Sequence, residues 1–325
     1  MKFINQVKKY SFLLGIALFF IVLFNIDIKA TYSILAKVKI IYLIVSLPPI
    51  FLYLYCIKGY QWNYLKKKLD IKYSLKDSII MYGTSILIGL ITPSRLGELT
   101  KVLYLKKDGY PLPKALTSII LDRLMDIIFL VFFGYLGLLY FNNLFSKQLI
   151  LIISLIIAFG LFFLSFIYLK KKLARVIFEK IFAKLIPKKY QNNWKIDTKE
   201  FFAAFKKYSY ANLLYVFFIT CSYWFFYYLL VFILARSLDI KISFFYLALA
   251  ITAVNFINLL PISIAGLGTR EATLLLILVP LNISGGKIIS LSLLILMLSI
   301  ITAIIGLYCW IKKPLPLLFK NHESK

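Results

Sequence analysis

Histidine is nearly missing from this chain: 325 residues include one, His322, beside three cysteines and thirteen aspartates and glutamates. A lone histidine near the end of the sequence provides neither a His-ligated metal site nor an imidazole base. Cys56, Cys221 and Cys309 fall in or beside apolar runs, which argues against a disulfide framework or a thiolate metal site. No GxxxxGK[ST] loop occurs, so the chain lacks that device for nucleotide phosphates. Neither a cofactor nor a metal is expected. Also missing are the alternating segments of about ten residues that an outer-membrane barrel requires.

What the chain has is apolar length. It is 62% hydrophobic and 16% charged, with mean hydropathy +0.87. Runs at 11 to 26, 38 to 57, 115 to 140, 148 to 169, 211 to 235 and 288 to 311 are nearly free of charge. Each approaches the roughly 17 to 25 residues a helix needs to cross a bilayer core. The expected class is an all-α, polytopic membrane protein with about six full spans, because helices and closed barrels alone satisfy their backbone in lipid. "NIDIKATYS" after the first run offers no small-x-small cleavage site, so that run is read as a span rather than a signal peptide.

The formal charge of +26 is clustered. Lys58, Lys66, Lys67, Lys68, Lys72 and Lys76 are read as one loop, and Lys101, Lys106, Lys107 and Lys114 as the next. A third block covers 170 to 207, and a fourth closes the chain. The positive-inside rule puts these, and both termini, in the cytoplasm. The charge is therefore read as topogenic and facing anionic lipid, not as a nucleic-acid surface. Within the third block, 169 to 196 has the pattern of an interfacial amphipathic helix. The "LPP" at 47 to 49 is expected to kink its span.

Two basic loops on one side force the segment between them to enter and leave on that side. Residues 78 to 107 are thus expected to form a re-entrant hairpin, with Pro93 and Gly97 as hinges and Thr92 as an N-cap. A second hairpin is expected at 243 to 282, hinged at Pro261, Gly266 and Gly268, with Thr269 capping its short arm. The chain then reads span, hairpin, span at 38 to 140 and again, inverted, at 211 to 311, within one domain covering 1 to 325. Paired Pro- and Gly-interrupted segments of this kind point to the binding site of an inverted-repeat transporter.

Charged side chains at membrane depth are costly, by about 2.5–3.5 kcal/mol on insertion scales, so they are site candidates. They are Arg95 and Glu98, Arg270 and Glu271, and Asp122, Arg123 and Asp126. Arginines at helix starts suit a phosphate, although pairing of Arg95 and Glu98 with Arg123 or Asp126 would equally hold hairpin to bundle. The aromatic run "YVFFITCSYWFFYYLLVF" at 215 to 232 is read as lipid- or bundle-facing bulk.

With "TPSRLGELTKVLYL", "ALTSIILDRLMDIIFL" and "LLPISIAGLGTREATLLLIL" in that order, the chain resembles the flippase-like membrane domain of the lysylphosphatidylglycerol synthase/flippase family, also described as UPF0104 integral membrane proteins. That family commonly has Gly where Ser94 and Ala265 stand and Glu where Asp122 stands. The resemblance implies lipid handling. In two-part members the membrane domain moves an aminoacylated phospholipid made by a separate cytosolic domain, and nothing in this chain resembles that domain. The expected function is translocation of a phosphate-bearing lipid, such as an aminoacyl-phospholipid or polyprenyl-phosphate sugar, across the cytoplasmic membrane. A separate lipid-modifying enzyme is a candidate partner. The alternatives are an integral membrane transferase using Asp122, Asp126 or Glu98, and an accessory subunit of an envelope-lipid synthase.

Overall fold

The computed structural model describes residues 28–90, 92–141, scattered positions between 147 and 162, 199–259, 263 and 266–316. The expected span at 11 to 26, most of that at 148 to 169, residues 170 to 198 of the basic block with its expected amphipathic helix, and Pro261 lie outside the described residues.

Helices and turns make up the described residues, with no strand among them. The order is α1 (Ile28–Ala36), α2 (Ile40–Ile50), a π-helical stretch Phe51–Ile57, α3 (Lys58–Lys67), α4 (Leu75–Leu90) and a 3₁₀ helix Pro93–Thr100. Then come α5 (Lys101–Lys107), α6 (Leu112–Tyr140), α7 (Tyr210–Ser237), α8 (Phe244–Ile257), α9 (Thr269–Leu278), a short 3₁₀ turn Val279–Leu281 and α10 (Gly285–Lys312). Among the described residues, three helices are long and apolar enough to cross a membrane: Ile40–Lys67, which runs through α2, the π stretch and α3, then α7 and α10. Helix α6 is as long, 29 residues, but carries Asp122, Arg123 and Asp126 in its middle.

The "LPP" segment changes the winding of its helix. Pro48 and Pro49 lie near the end of α2, and the π-helical turns follow directly. Prolines supply no N–H to the ladder, and the helix accommodates the missing bonds by widening. The helix does not end at residue 57, as its apolar run suggested. It continues to Lys67, so Lys58 and Lys66 are packed inside the protein rather than displayed on a loop. The third cation assigned to a loop, Lys101, is likewise buried, at the start of α5.

The two interrupted regions pack reciprocally. Helix α4, from the first, lies along α10, which follows the second, while α8, from the second, lies along α6, which follows the first. Helices α2 and α7, which precede the two regions, pack on each other. Close approach needs small residues. A Cβ on Gly306 would sit 2.9 Å from the Gly83 carbonyl, and one on Gly83 would sit 2.6 Å from Cys309 Sγ. Glycine pairs of this kind let helices approach without a soluble-type hydrophobic drive. Serines start α7 and α8: Ser209 Oγ accepts from Asn212 N at 3.3 Å and Ser243 Oγ from Tyr246 N at 3.2 Å, which satisfies otherwise orphaned N–H groups.

Candidate functional site

The first break is built by Thr92 and Gly97. Thr92 is extended, φ −114° and ψ 142°, as an N-cap should be. Its hydroxyl, however, accepts from Gly97 N at 2.7 Å and donates to the Ile88 carbonyl at 3.0 Å, tying the 3₁₀ helix back onto the end of α4. Gly97 is required there, because a Cβ would lie 2.4 Å from the Ile88 carbonyl carbon and oxygen. Pro93 opens the 3₁₀ helix. Arg95 lies within it, and its side chain is outside the described residues.

At the second break the cap differs from expectation. Gly268, φ +80°, is the N-cap of α9, and Glu271 Oε2 accepts from Gly268 N at 2.6 Å. A carboxylate one turn in serves the helix start better than Thr269, both by hydrogen bond and by the positive dipole end. The Thr269 hydroxyl instead meets Ser263 Oγ at 2.8 Å and Asn258 Oδ1 at 3.1 Å. Gly266, φ +77°, completes the turn against Asn258. Arg270 Nε donates to Ser292 Oγ at 2.6 Å and its Nη2 to Glu271 Oε1 at 3.0 Å, while Ser292 also donates to Glu271. Arg270 and Glu271 are thus locked to each other and to α10.

The remaining acids form one network with cations that the sequence reading had assigned to loops. Asp122, fully buried on α6, accepts from Lys101 Nζ at 2.9 Å and Gln61 Nε2 at 3.1 Å, with Lys58 Nζ at 3.9 Å. Lys58 Nζ donates to Asp126 Oδ1 at 2.6 Å. Arg123 pairs with Glu98, whose other oxygen is 4.0 Å from Lys101 Nζ. Three cations face three carboxylates, so the cluster is neutral, as burial demands. Aromatic faces complete it: Lys101 Nζ lies 4.0 Å from the Tyr82 ring centre and Lys58 Nζ 4.7 Å from that of Tyr223. Lys66 is separate, donating to Ser78 Oγ at 2.9 Å over the Trp62 ring.

The network is graded. Lys58, Lys101 and Asp122 are sealed inside, while the side chains of Asp126 and Arg123 are 11% and 24% exposed. Those two reach a partly open cavity of about 370 Å³ between the two interrupted regions, within the size range of small-molecule sites. Arg270, Ser263 and Asn258 lie on another wall, Thr92 and Leu96 on the first-break wall, and Tyr223, Trp224 and Tyr227 supply an aromatic face. A smaller cavity adjoins it, with Glu98 and Trp224 in its lining. Asp122 and Glu271 line neither cavity and act through their neighbours.

Sequence reasoning missed Lys58, Gln61, Lys101, Asn258, Ser292 and Trp224 as parts of this region. Two left a trace: Lys101 is three residues after Glu98, and Gln61 three after Lys58, spacings that share a helix face.

The Lysylphosphatidylglycerol synthase TM region family matches residues 10–306. UPF0104 membrane protein PH1989 of Pyrococcus horikoshii is 26% identical over 199 residues, 57% of this chain; the match spans 58% of that relative's length. No solved structure matches the chain. With long apolar helices interrupted at two charged breaks and a family match across most of its length, the chain belongs to the lysylphosphatidylglycerol synthase TM region family of membrane proteins.

Proposed function

We propose that the protein is a lipid translocase of the cytoplasmic membrane, carrying a phosphate-bearing headgroup through the 370 Å³ cavity. The observation that carries the reading is the placement of Arg123 and Arg270 on different walls of one cavity, whose lining otherwise holds Asp126, the hydroxyl residues Thr92, Ser263 and Ser299, and amide, aromatic and aliphatic side chains. Guanidinium forks recognise phosphate oxygens in pairs, and the apolar walls suit the adjoining glycerol or prenyl chain. Glu98 holds Arg123 directly, and Asp126, held by Lys58, lies beside it in the cavity lining. Arg95 is assigned to the same task from the first break.

The reciprocal packing of α4 on α10 and α8 on α6 supports an inverted repeat. In that reading the breaks are re-entrant hairpins and relative motion of the halves opens the cavity to alternate sides. Both termini and the basic block at 170 to 207 face the cytoplasm.

The test is transfer of a fluorescent phospholipid analogue across proteoliposome membranes, read by its quenching from outside. The protein should raise the rate well above that of protein-free vesicles, and an Arg123→Ala/Arg270→Ala variant of matched folding should lose most of the increase. Equal rates with and without the wild-type protein, over a panel of anionic lipids, overturn the reading.

A further inference from the structure

The charges that line and back the larger cavity cancel among themselves. Among the described side chains there, Lys58, Lys101, Arg123 and Arg270 pair with Asp126, Asp122, Glu98 and Glu271 in that order. A phosphate anion that meets Arg123 and Arg270 therefore brings one negative charge with no cation left over for it. Uncompensated charge away from water is expensive, and a buried acid beside it relieves that cost by taking a proton.

The geometry singles out Glu98. Its partner Arg123 is on the wall of the larger cavity, whereas Glu98 lies behind it and lines the smaller one. A phosphate on Arg123 thus competes with Glu98 for one guanidinium. The second oxygen, Glu98 Oε2, is buried without a hydrogen-bond partner among the described residues, and Lys101 Nζ, 4.0 Å from it, donates to Asp122 instead. The other acids are better held. Glu271 uses both oxygens, on Gly268 N and on Arg270 with Ser292. Asp122 uses both, on Gln61 and Lys101, and Asp126 keeps Lys58, which does not line the cavity. The remaining titratable groups around Glu98 are phenols: Tyr82 of α4, with Tyr53, Tyr223 and Tyr227 beside the smaller cavity. Helix α10 presents no charge there, only the hydroxyls of Ser299 and Thr302, which give their protons to the Ile295 and Ser299 carbonyls and offer the cavity lone pairs.

We infer that Glu98 is a proton-binding site, and that the protein moves its phosphate-bearing lipid together with one proton. The proton comes from water on the loading side and forms an O–H bond at Glu98 Oε2 while the phosphate holds Arg123. It returns to water on the far side when the phosphate leaves and Arg123 closes on Glu98 again. Trp224, Asn255 and Ser299 line both cavities, so the larger cavity leads the proton to the smaller. The inference rests on the lipid-phosphate reading of the larger cavity and adds to it the driving force, a proton gradient.

The probe is fluorescent phosphatidylglycerol, a phosphodiester that stays a monoanion near neutral pH. Proteoliposomes held one pH unit more acid outside, with the membrane potential clamped by a potassium ionophore, receive it in trace amount. Quenching from outside reads its distribution. With one proton per lipid, the wild type should draw the label to about a tenfold excess in the inner leaflet, as one pH unit is a tenfold ratio of protons. Protein-free vesicles should lag far behind, and Glu98→Gln should build no excess. A second measurement covers a Glu98→Gln variant that does not fold: in weakly buffered detergent at neutral pH, the wild type should take up about one proton per phosphatidylglycerol bound, read by a pH dye. Even distribution by the wild type under the gradient, or lipid bound without proton uptake, overturns the proton linkage and leaves the lipid-transfer reading standing. An excess undiminished in Glu98→Gln overturns the assignment to Glu98. No transfer by the wild type, with or without the gradient, defeats both.

Discussion

Lys58 Nζ lies 2.6 Å from Asp126 Oδ1, joining the start of α3, within the first long helix, to the middle of α6 with side chains only 2% and 11% exposed. Removing one partner strands the other charge away from water. Lys58→Met or Asp126→Asn should each lower unfolding stability in detergent by about 3–5 kcal/mol. The double variant Lys58→Met/Asp126→Asn should lose clearly less than the two singles together. Additive losses in that cycle would show the pair to be energetically uncoupled.

Gln61 bridges Asp122 to α7, donating to the carboxylate at 3.1 Å and accepting from Thr220 Oγ1 at 3.2 Å. Gln61→Leu should cost about 1–3 kcal/mol, since Asp122 loses a buried donor. Thr220→Val should cost less, because its single hydroxyl proton is shared between Gln61 and the Val216 carbonyl at 3.0 Å in its own helix, so the bond to Gln61 is only partly made. Chemical unfolding of the two variants gives the order.

Gly97 and Gly137 should respond oppositely to alanine. At Gly97 the added Cβ lies 2.4 Å from backbone atoms of Ile88, whereas at Gly137 its nearest neighbour is at 3.7 Å. Gly97→Ala should destabilise by about 1–3 kcal/mol or more through overpacking. Gly137→Ala, inside α6, should be neutral or stabilising by up to about 1 kcal/mol through helix propensity. Melting temperatures in one detergent compare them directly.

Arg270 offers a geometry that lysine cannot reproduce. Arg270→Lys keeps the charge but gives up the Nε bond to Ser292 and the two-pronged approach to phosphate. Lipid transfer in proteoliposomes should fall by about tenfold. Ser292→Ala, which loosens both Arg270 and Glu271, should give a smaller loss. Transfer by Arg270→Lys at the wild-type rate would remove Arg270 from the phosphate site.

The re-entrant reading of the first break predicts that Lys76 and Lys107, both exposed, lie on one side of the membrane. In a variant without Cys56, Cys221 and Cys309, Lys76→Cys and Lys107→Cys should react with an impermeant maleimide from the same face. Labelling from opposite faces would make residues 75–107 a full crossing.

The membrane class, the two interruptions and every acid of the central network were legible in the sequence. Apolar length, a proline after a short helix, and carboxylates inside an apolar run are local features, and local chemistry fixes their meaning. Pro93 and Gly97 marked the first break, and Gly266 and Gly268 the positive-φ turn of the second. Glu98 was named as a partner for Arg123, and the two are paired. The partners of Asp122 and Asp126 were not legible. Lys58 and Lys101 sit among lysines that read as topogenic, and only helix packing shows that they point inward.

The sequence by itself determined that this chain is an all-helical membrane protein broken at two charged turns, because burial of apolar length and the backbone limits of proline and glycine act within a few residues. Tertiary structure alone decided which cation meets which acid and where the cavities lie. Those depend on side chains brought together from positions far apart in the chain, such as Lys58 with Asp126 and Gln61 with Thr220. The aromatic run of α7 shows why: it is apolar on all sides, so no period singles out Trp224. Only the packing of α7 within the bundle buries its indole and places Trp224 in the lining of both cavities.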